Sequence, residues 1–408
     1  MIATEMQPAS RAAEEHRPGL AMIANVMTPY RRNLHKLVAE GIPEFTLHSL
    51  ITHSPAEFRW NIELPESIHA SFFGSSGDSP QASAFHRPAQ EWRKGGRLIE
   101  YLRAHNVRAV ILFGYRYPSF LRVIRYCRRT GIPVFVHNDS NIHGDRHMPA
   151  WKRALKSAMY RGWLTQVSGV MSMGEYGDQF FLRYGADRRR LYRVPWPVDL
   201  EYHSQVTEDR LQRFRQQFGL SGDRRYLLYS GRLVAVKRVD LLIDAFATIA
   251  AQRPDWDLVI VGEGVLDEEL RQRVPQALRS RVVWTGFLDG DGPALAYNAA
   301  DVLVLPSDFE PWALVIQEAM AAGLAIVASD VVGAARELIQ DKSSGRIFPA
   351  GQLAGLIEAM IDITDPNNLE RYQAESRSAL NDWSRSCNPI DEVRRALAQS
   401  GVLSKHAT

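Results

Sequence analysis

Short, continuously apolar runs alternate with longer helical patterns along nearly the whole chain. In the first half LAMIANV (20–26), FTLHSLI (45–51), AVILFG (109–114), IPVFVH (132–137) and GVMSM (169–173) predict strands. In the second half RYLLYS (225–230), DLVIVG (257–262), VVWTG (282–286), VLVLP (302–306), AIVAS (325–329) and GRIFP (345–349) do the same. Runs that are apolar throughout suit strands covered on both faces, and hence parallel sheets flanked by helices. Between them, VDLLIDAFATIA sets Leu242, Ala245, Phe246 and Ile249 on one helical stripe. Alternation of this kind predicts an α/β fold with doubly wound, Rossmann-like parallel-sheet domains.

A chain of 408 residues exceeds one ordinary core, so two such domains are expected. The boundary falls near 199–222, where RLYRVPWPVD gives way to a polar helical stretch and then to the turn signal GLSGD. This divides the chain into a tail (1–18), a first Rossmann-like domain (19–200), a second (201–365), and polar C-terminal helices (366–408). With no strand after them, these helices are expected to pack back toward the first domain.

Composition narrows the class. The apolar fraction of 45% and charged fraction of 23% are those of a globular protein. Two isolated cysteines, Cys127 and Cys387, make neither a disulfide framework nor a zinc cluster and suit a reducing cytoplasm. No apolar run approaches the roughly 18 residues that cross a bilayer, and the polar lead lacks the order of a signal peptide. The expected location is therefore cytoplasmic. Residues 1–200 carry 27 Lys+Arg against 17 Asp+Glu, whereas the remainder carries 22 against 29. The basic half suits an anionic partner.

Two segments carry chemistry. In SGRLVAVKRVDLLIDAF (230–246) Gly231, Arg232 and Lys237 follow a strand, where α/β domains bind ligands, and the two cations suit a pyrophosphate. A plain basic loop is the alternative. In VLVLPSDFEPWALVIQEAMAAG (302–323) Glu310 precedes Pro311, expected in the first turn of a helix, and Glu318 lies eight residues on. That spacing is ~12 Å along a helix. One carboxylate could accept hydroxyls of a sugar and the other those of a ribose, with the free N–H groups at Trp312, Ala313 and Leu314 holding a diphosphate between them. Alternatively Glu310 serves the helix dipole and Glu318 lies on the surface, but a carboxylate inside VIQEAMAAG needs a partner.

These segments resemble the retaining glycosyltransferases of family 4, which have the GT-B fold. SGRL…VK, the E-x(7)-E pair within LPS…E.W.LV..EAMA.G, Glu337 followed by Gly345, VGEG (261–264), Gly286-Phe287 and TPYRRNLHKL (28–37) carry the likeness over about 20–365. The resemblance implies a nucleoside-diphosphate sugar donor, UDP- or GDP-linked, bound in the second domain. Arg232 and Lys237 would hold the diphosphate, Glu310 the transferred sugar and Glu318 the ribose. Backbone at Trp312, Ala313, Leu314 and Val315 would contact sugar and phosphate, and the base would lie between Gly262–Gly264 and Phe287. Transfer would retain the anomeric configuration with no metal and no cofactor. The acceptor, a glycan or lipid-linked molecule of cell-surface polysaccharide or lipopolysaccharide assembly, would sit on the first domain. His137, at a strand end, is the candidate catalytic or substrate-contacting residue there, and Tyr30, Arg31 and Asp139 are candidate acceptor contacts.

Three positions depart from the family pattern. Ala313 and Arg238 stand where glycine is usual, and Trp196-Pro197 replaces Asn-Gly. Ala313 is expected to narrow the space beside the sugar, and Arg238 to add charge near the phosphates. DGDG (289–292) looks like a metal-binding Asp-x-Asp but is better read as a helix cap. His143 and His147 lack regular ligand spacing with His137. Basic residues mix with aromatics in RYPSFLRVIRYCRR (116–129) and MPAWKRALKSAMYRGWL (148–164). They make an anionic membrane surface a candidate partner, with the protein peripheral at the inner face, against the alternative of two surface helices whose aromatics are core. No nucleic-acid-reading motif is present. The competing functions are a catalytically inactive nucleotide-sugar-binding subunit and a nucleotide-sugar epimerase.

Overall fold

The apolar run after Pro18 forms β1 (Gly19–Ala24), and Thr28 then starts α1 (Pro29–Gly41), its hydroxyl accepting the Arg31 N–H at 3.4 Å. The computed structural model describes residues 17–53, 62–74, 87–199 and 206–404. Most of the expected tail and part of the expected boundary loop, 200–205, lie outside the described residues.

The first domain continues through β2 (Thr46–Ile51), β3 (Ser71–Phe72), α2 (Pro88–Ala104), β4 (Val107–Phe113), α3 (Pro118–Thr130), β5 (Val134–His137), α4 (Ala150–Leu164), β6 (Gly169–Ser172), α5 (Glu175–Arg183) and β7 (Leu191–Arg193). Among the described residues its seven strands are all parallel, in the order β3-β2-β1-β4-β5-β6-β7. The order turns back between β1 and β4, so their C-terminal ends open a crevice. Asn25 and Tyr117 meet across it at 3.4 Å.

The second domain holds α6 (Glu208–Phe218), β8 (Arg225–Ser230), α7 (Val239–Ile249), β9 (Trp256–Val261), α8 (Asp267–Arg273), β10 (Val282–Gly286), α9 (Gly292–Asn298), β11 (Val302–Leu305), α10 (Leu314–Ala322), β12 (Ala325–Ser329), α11 (Gly333–Leu338), β13 (Arg346–Phe348) and α12 (Leu353–Ile363). Its six strands are also parallel, ordered β10-β9-β8-β11-β12-β13. Here the order turns back between β8 and β11. The loop after β8 carries Arg232 and Lys237, and the loop after β11 carries Glu310. The continuous burial of β9, β11 and β12, and of the central residues of β4 and β8, follows from helices on both faces of each sheet.

Two helices follow, α13 (Pro366–Ser386) and α14 (Pro389–Gln399). The first packs against α10 and β12, and the second returns to the first domain. There Arg394 pairs with Glu44 at 2.8 Å, Arg395 donates to the Leu191 carbonyl at 2.9 Å, and the Tyr192 hydroxyl donates to Gln399 at 2.8 Å. The two sheets are thus tied by the C-terminal helices as well as by the chain between them.

Candidate active site

The donor-side loops are stitched at the C-terminal edge of the second sheet. The Gly231 N–H donates to Val261 O at 3.0 Å, Leu233 N–H to Glu263 O at 2.9 Å, and Gly262 N–H to Gly286 O at 2.8 Å. The backbones run so close that a Cβ on Gly262 or on Gly264 would collide with the carbonyls of Gly231 or Leu233. VGEG is glycine-rich because it lies on SGRL. Phe287, partly exposed, follows Gly286 at the edge of this group.

Lys237 and Glu310 form an ion pair across the gap between β8 and β11, and the two loops are also joined by Asp308 N–H donating to Val236 O at 2.8 Å. Both side chains are largely buried. Burial, and then the Arg232 guanidinium, pull the Lys237 ammonium down to about 8. Arg232 itself stands exposed at the rim. One exposed cation, one buried cation and one carboxylate therefore converge where a diphosphate and a polyhydroxylated group could lie side by side.

Glu318 has a partner that the sequence did not reveal. Tyr297, buried on α9, places its hydroxyl 2.8 Å from Glu318 Oε2 and 3.3 Å from Ser230 Oγ. Its phenol is raised well above the usual tyrosine range by burial and by the Glu318 charge. The tyrosine ties the end of β8 to the second glutamate and aims that carboxylate.

Several expectations need correction. The helix after Glu310 begins at Leu314, so Pro311 and Trp312 precede it and Ala313 is its cap residue. The helix N-terminus, with the N–H groups of Leu314 and Val315, therefore begins two residues after Trp312, and Trp312 and Ala313 lie in the loop that leads into it. Ala313 adopts φ 82° and ψ 77°, the left-handed region. Glycine suits this position because the backbone needs that φ, and Ala313 occupies it with a strained backbone. Arg238 is likewise left-handed, at φ 53°. Its guanidinium pairs with Asp240 and Asp308 at 3.1 and 3.2 Å. The Trp312 indole points to the domain junction, where its N–H donates to Gln317 at 2.8 Å. Asp291 precedes α9, but its carboxylate pairs with Arg210 instead of capping the helix.

On the opposite side, His137 lies under the cleft floor, 1% exposed, among Phe113, Trp196 and Arg31. Its Nε2 donates to Val194 O at 2.7 Å, which leaves Nδ1 as a bare acceptor with no partner. Burial holds the imidazole down at about 4, so it is neutral at physiological pH. His137 does end β5, as expected, and its side chain turns into the domain. The Tyr30 ring packs at a tilt against Trp196, centroids 4.9 Å apart. Arg31 donates to Asn25 at 2.7 Å and to Val26 O at 2.6 Å. Asp139 is exposed on the loop beyond His137. His143 packs on Tyr176 at 4.5 Å.

The first domain reaches the second through the loop after β5. Asn141, absent from the sequence reading, directs its amide at carbonyls of the Glu310 loop. Glu337 of α11 accepts the Glu175 N–H at 2.5 Å and so caps α5 from the other domain.

Two facing Rossmann-like domains with a cation- and carboxylate-lined switch point define the GT-B class. The Anabaena protein Alr3699/HepE, solved in complex with UDP and glucose, superposes with a TM-score of 0.68 at 16% identity, over 95% of this chain and 100% of that one. Residues 211–379 match the family described as glycosyl transferases group 1. Among curated relatives, the α-D-kanosaminyltransferase of Streptomyces kanamyceticus is 30% identical over 192 residues, 47% of this chain and 49% of the relative. The phosphatidyl-myo-inositol mannosyltransferase of Mycobacterium leprae is 32% identical over 207 residues, 50% of this chain and 54% of the relative. The chain thus spans about half the length of the curated relatives it matches.

Proposed function

We propose that this protein is a retaining, metal-independent glycosyltransferase that moves a sugar from a nucleoside-diphosphate sugar to a glycan or lipid-linked acceptor in cell-surface polysaccharide or lipopolysaccharide assembly. The observation that carries the reading is the buried Lys237–Glu310 pair at the β8/β11 switch point, beside Arg232. A diphosphate in that crevice would meet Lys237, Arg232 and the N–H groups of Leu314 and Val315 at a helix N-terminus. Charge that develops on the departing nucleoside diphosphate is then met by fixed cations and dipoles, which need no metal ion to supply them. Glu310, released from Lys237 by the incoming phosphate, accepts hydroxyls of the sugar. Glu318, aimed by Tyr297, accepts those of the ribose. The UDP held by the Anabaena neighbour supports a nucleotide donor.

The acceptor side suits a lipid surface. The mannosyltransferase relative is named for a phosphatidyl-inositol, a lipid. On α4, Trp151, Leu155 and Met159 are 66%, 58% and 65% exposed and recur every four residues, one apolar stripe open to solvent. Lys152 lies 5.3 Å from the Trp151 ring and Arg161 follows on the same helix. Tyr160 and Trp163 of this helix are core. No helix among the described residues is long and apolar enough to cross a membrane. The stripe and its cations fit a protein that lies on an anionic bilayer. Flotation with phosphatidylglycerol vesicles tests this: salt-sensitive binding is expected from the wild type and not from a Trp151→Ser/Leu155→Ser variant. Equal flotation of both removes the stripe from the account.

Turnover tests the enzyme reading. The protein is incubated with UDP- and GDP-sugars, released nucleoside diphosphate is measured, and the product anomer is read by NMR. Release with the donor's own anomer retained supports the proposal, and inversion contradicts the retaining assignment. Binding without release indicates a nucleotide-sugar-binding subunit. A changed sugar carbon without release indicates an epimerase.

A further inference from the structure

Asn141 sits in the first domain, four residues beyond His137, yet three of its four side-chain hydrogen-bond contacts are to the second domain. Its Oδ1 accepts the His143 N–H at 2.8 Å and so fixes the turn that follows. Its Nδ2 faces the carbonyl oxygens of Glu310 at 3.2 Å, Pro311 at 3.4 Å and Val331 at 3.3 Å. The side chain is 2% exposed. A buried amide that loses its acceptors carries the full cost of an unmade hydrogen bond, so this contact favours the closed arrangement of the domains.

Both ends of the contact are held. Behind Asn141, the buried Asp145 takes Lys156 at 2.7 and 2.9 Å and the Tyr184 hydroxyl at 2.5 Å, which locks the turn to α4 and α5. Gly144 packs on the Phe309 ring closely enough that a Cβ would sit 3.1 Å from it. Across the cleft, the Glu310 carbonyl also accepts the Gly333 N–H at 3.3 Å. The residue whose carboxylate pairs with Lys237 therefore has its backbone gripped from two sides, and one of those grips belongs to the other domain.

We propose that Asn141 is a positioning residue that makes the placement of Glu310 depend on domain closure. With the domains together, its amide draws the 310–311 carbonyls into place and the Glu310 carboxylate faces the sugar pocket. With the domains apart, the Glu310 loop loses that hold while Arg232, Lys237 and Glu318, all supported within the second domain, stay as they are. The nucleotide then binds with or without closure, and only the sugar-handling carboxylate waits for it. This rests on the role given to Glu310 above.

The test is Asn141→Asp, which keeps the acceptor for His143 but turns an oxygen toward three carbonyls, beside Asn141→Ser, which keeps a small polar group at the turn. Hydrogen exchange of the unliganded protein gives a readout free of any assumption about activity. Faster exchange across 309–316 and at Gly333, with α12 unchanged, is the expected result. With UDP or GDP, whichever the wild type binds, affinity should change by about threefold or less, while kcat for donor turnover falls about a hundredfold with little change in KM. Unchanged exchange at 309–316, or an equal loss of nucleotide affinity and kcat, overturns the proposal. If the wild type binds no nucleoside diphosphate, the functional reading fails, and the exchange result still decides whether Asn141 positions the Glu310 loop.

Discussion

Lys237 offers the sharpest perturbation. Its ammonium sits at about 8, pulled down by burial and by Arg232, whereas a solvated lysine stays charged far above that. The sign follows directly: the cation is present below about 8 and is lost as pH rises through it. If the bound diphosphate requires that cation, Lys237 is about nine-tenths charged at pH 7 and about one-tenth at pH 9. Nucleotide affinity should therefore weaken about tenfold over that interval, about 1.4 kcal/mol. Lys237→Arg keeps a group that does not titrate in this range, so it should bind with a flat pH profile. Isothermal titration of UDP or GDP into both proteins, expressed as the ratio of their Kd values, cancels the titration of the nucleotide's own phosphate. Glu310→Gln removes the carboxylate that stabilises the ammonium, and the fall should then begin at lower pH. A constant ratio across pH 7 to 9 would refute the placement of the diphosphate on Lys237.

Three further outcomes are expected. Ala313→Gly relieves a left-handed alanine, and against the entropy of the added glycine it should raise stability by about 0.5–1 kcal/mol in urea unfolding. Tyr297→Phe removes the hydroxyl that aims Glu318; nucleotide affinity should fall several-fold and stability by about 1 kcal/mol, the first read by titration calorimetry and the second by urea unfolding. His137, held at about 4 against an unfolded value near 6.5, favours the fold above 6.5, and that contribution is lost as pH falls from 6.5 to 4. Replacement by Gln should flatten the loss of stability over that window in urea midpoints, and turnover should show no inflection near pH 6.5 that disappears in this variant.

Much of the architecture could be read from the chain because fully buried parallel strands write themselves as unbroken apolar runs, with loop residues at their C-terminal ends. Arg232, Lys237 and Glu310 stood out because they interrupt such runs at the β8 and β11 edges. The order of those strands, which brings the two loops together, is a property of the fold and is not spelled in either segment. Asn141 was not legible: it is a polar residue in a polar loop, and its partners are backbone carbonyls 169 to 190 positions away. Tyr297 in AYNAA reads as a core aromatic, which it also is, and only the structure shows its hydroxyl on Glu318. The left-handed backbone at Ala313 and Arg238 is not written in the residues themselves; only the glycine usual at these positions in the family pattern hints at it. His137 was legible as a strand-end residue, whereas its burial against Trp196 and Phe113 was not.

Donor binding rests on one arrangement: a diphosphate held by Arg232 and Lys237, with the ribose hydroxyls on Glu318. Isothermal titration of UDP and of GDP into the wild type, Arg232→Ala and Glu318→Ala measures it directly. The expected result is saturable one-to-one binding of at least one nucleotide to the wild type, weakened about tenfold or more in each variant. Tight binding that neither substitution disturbs, or no binding of either nucleotide to the wild type, would contradict it.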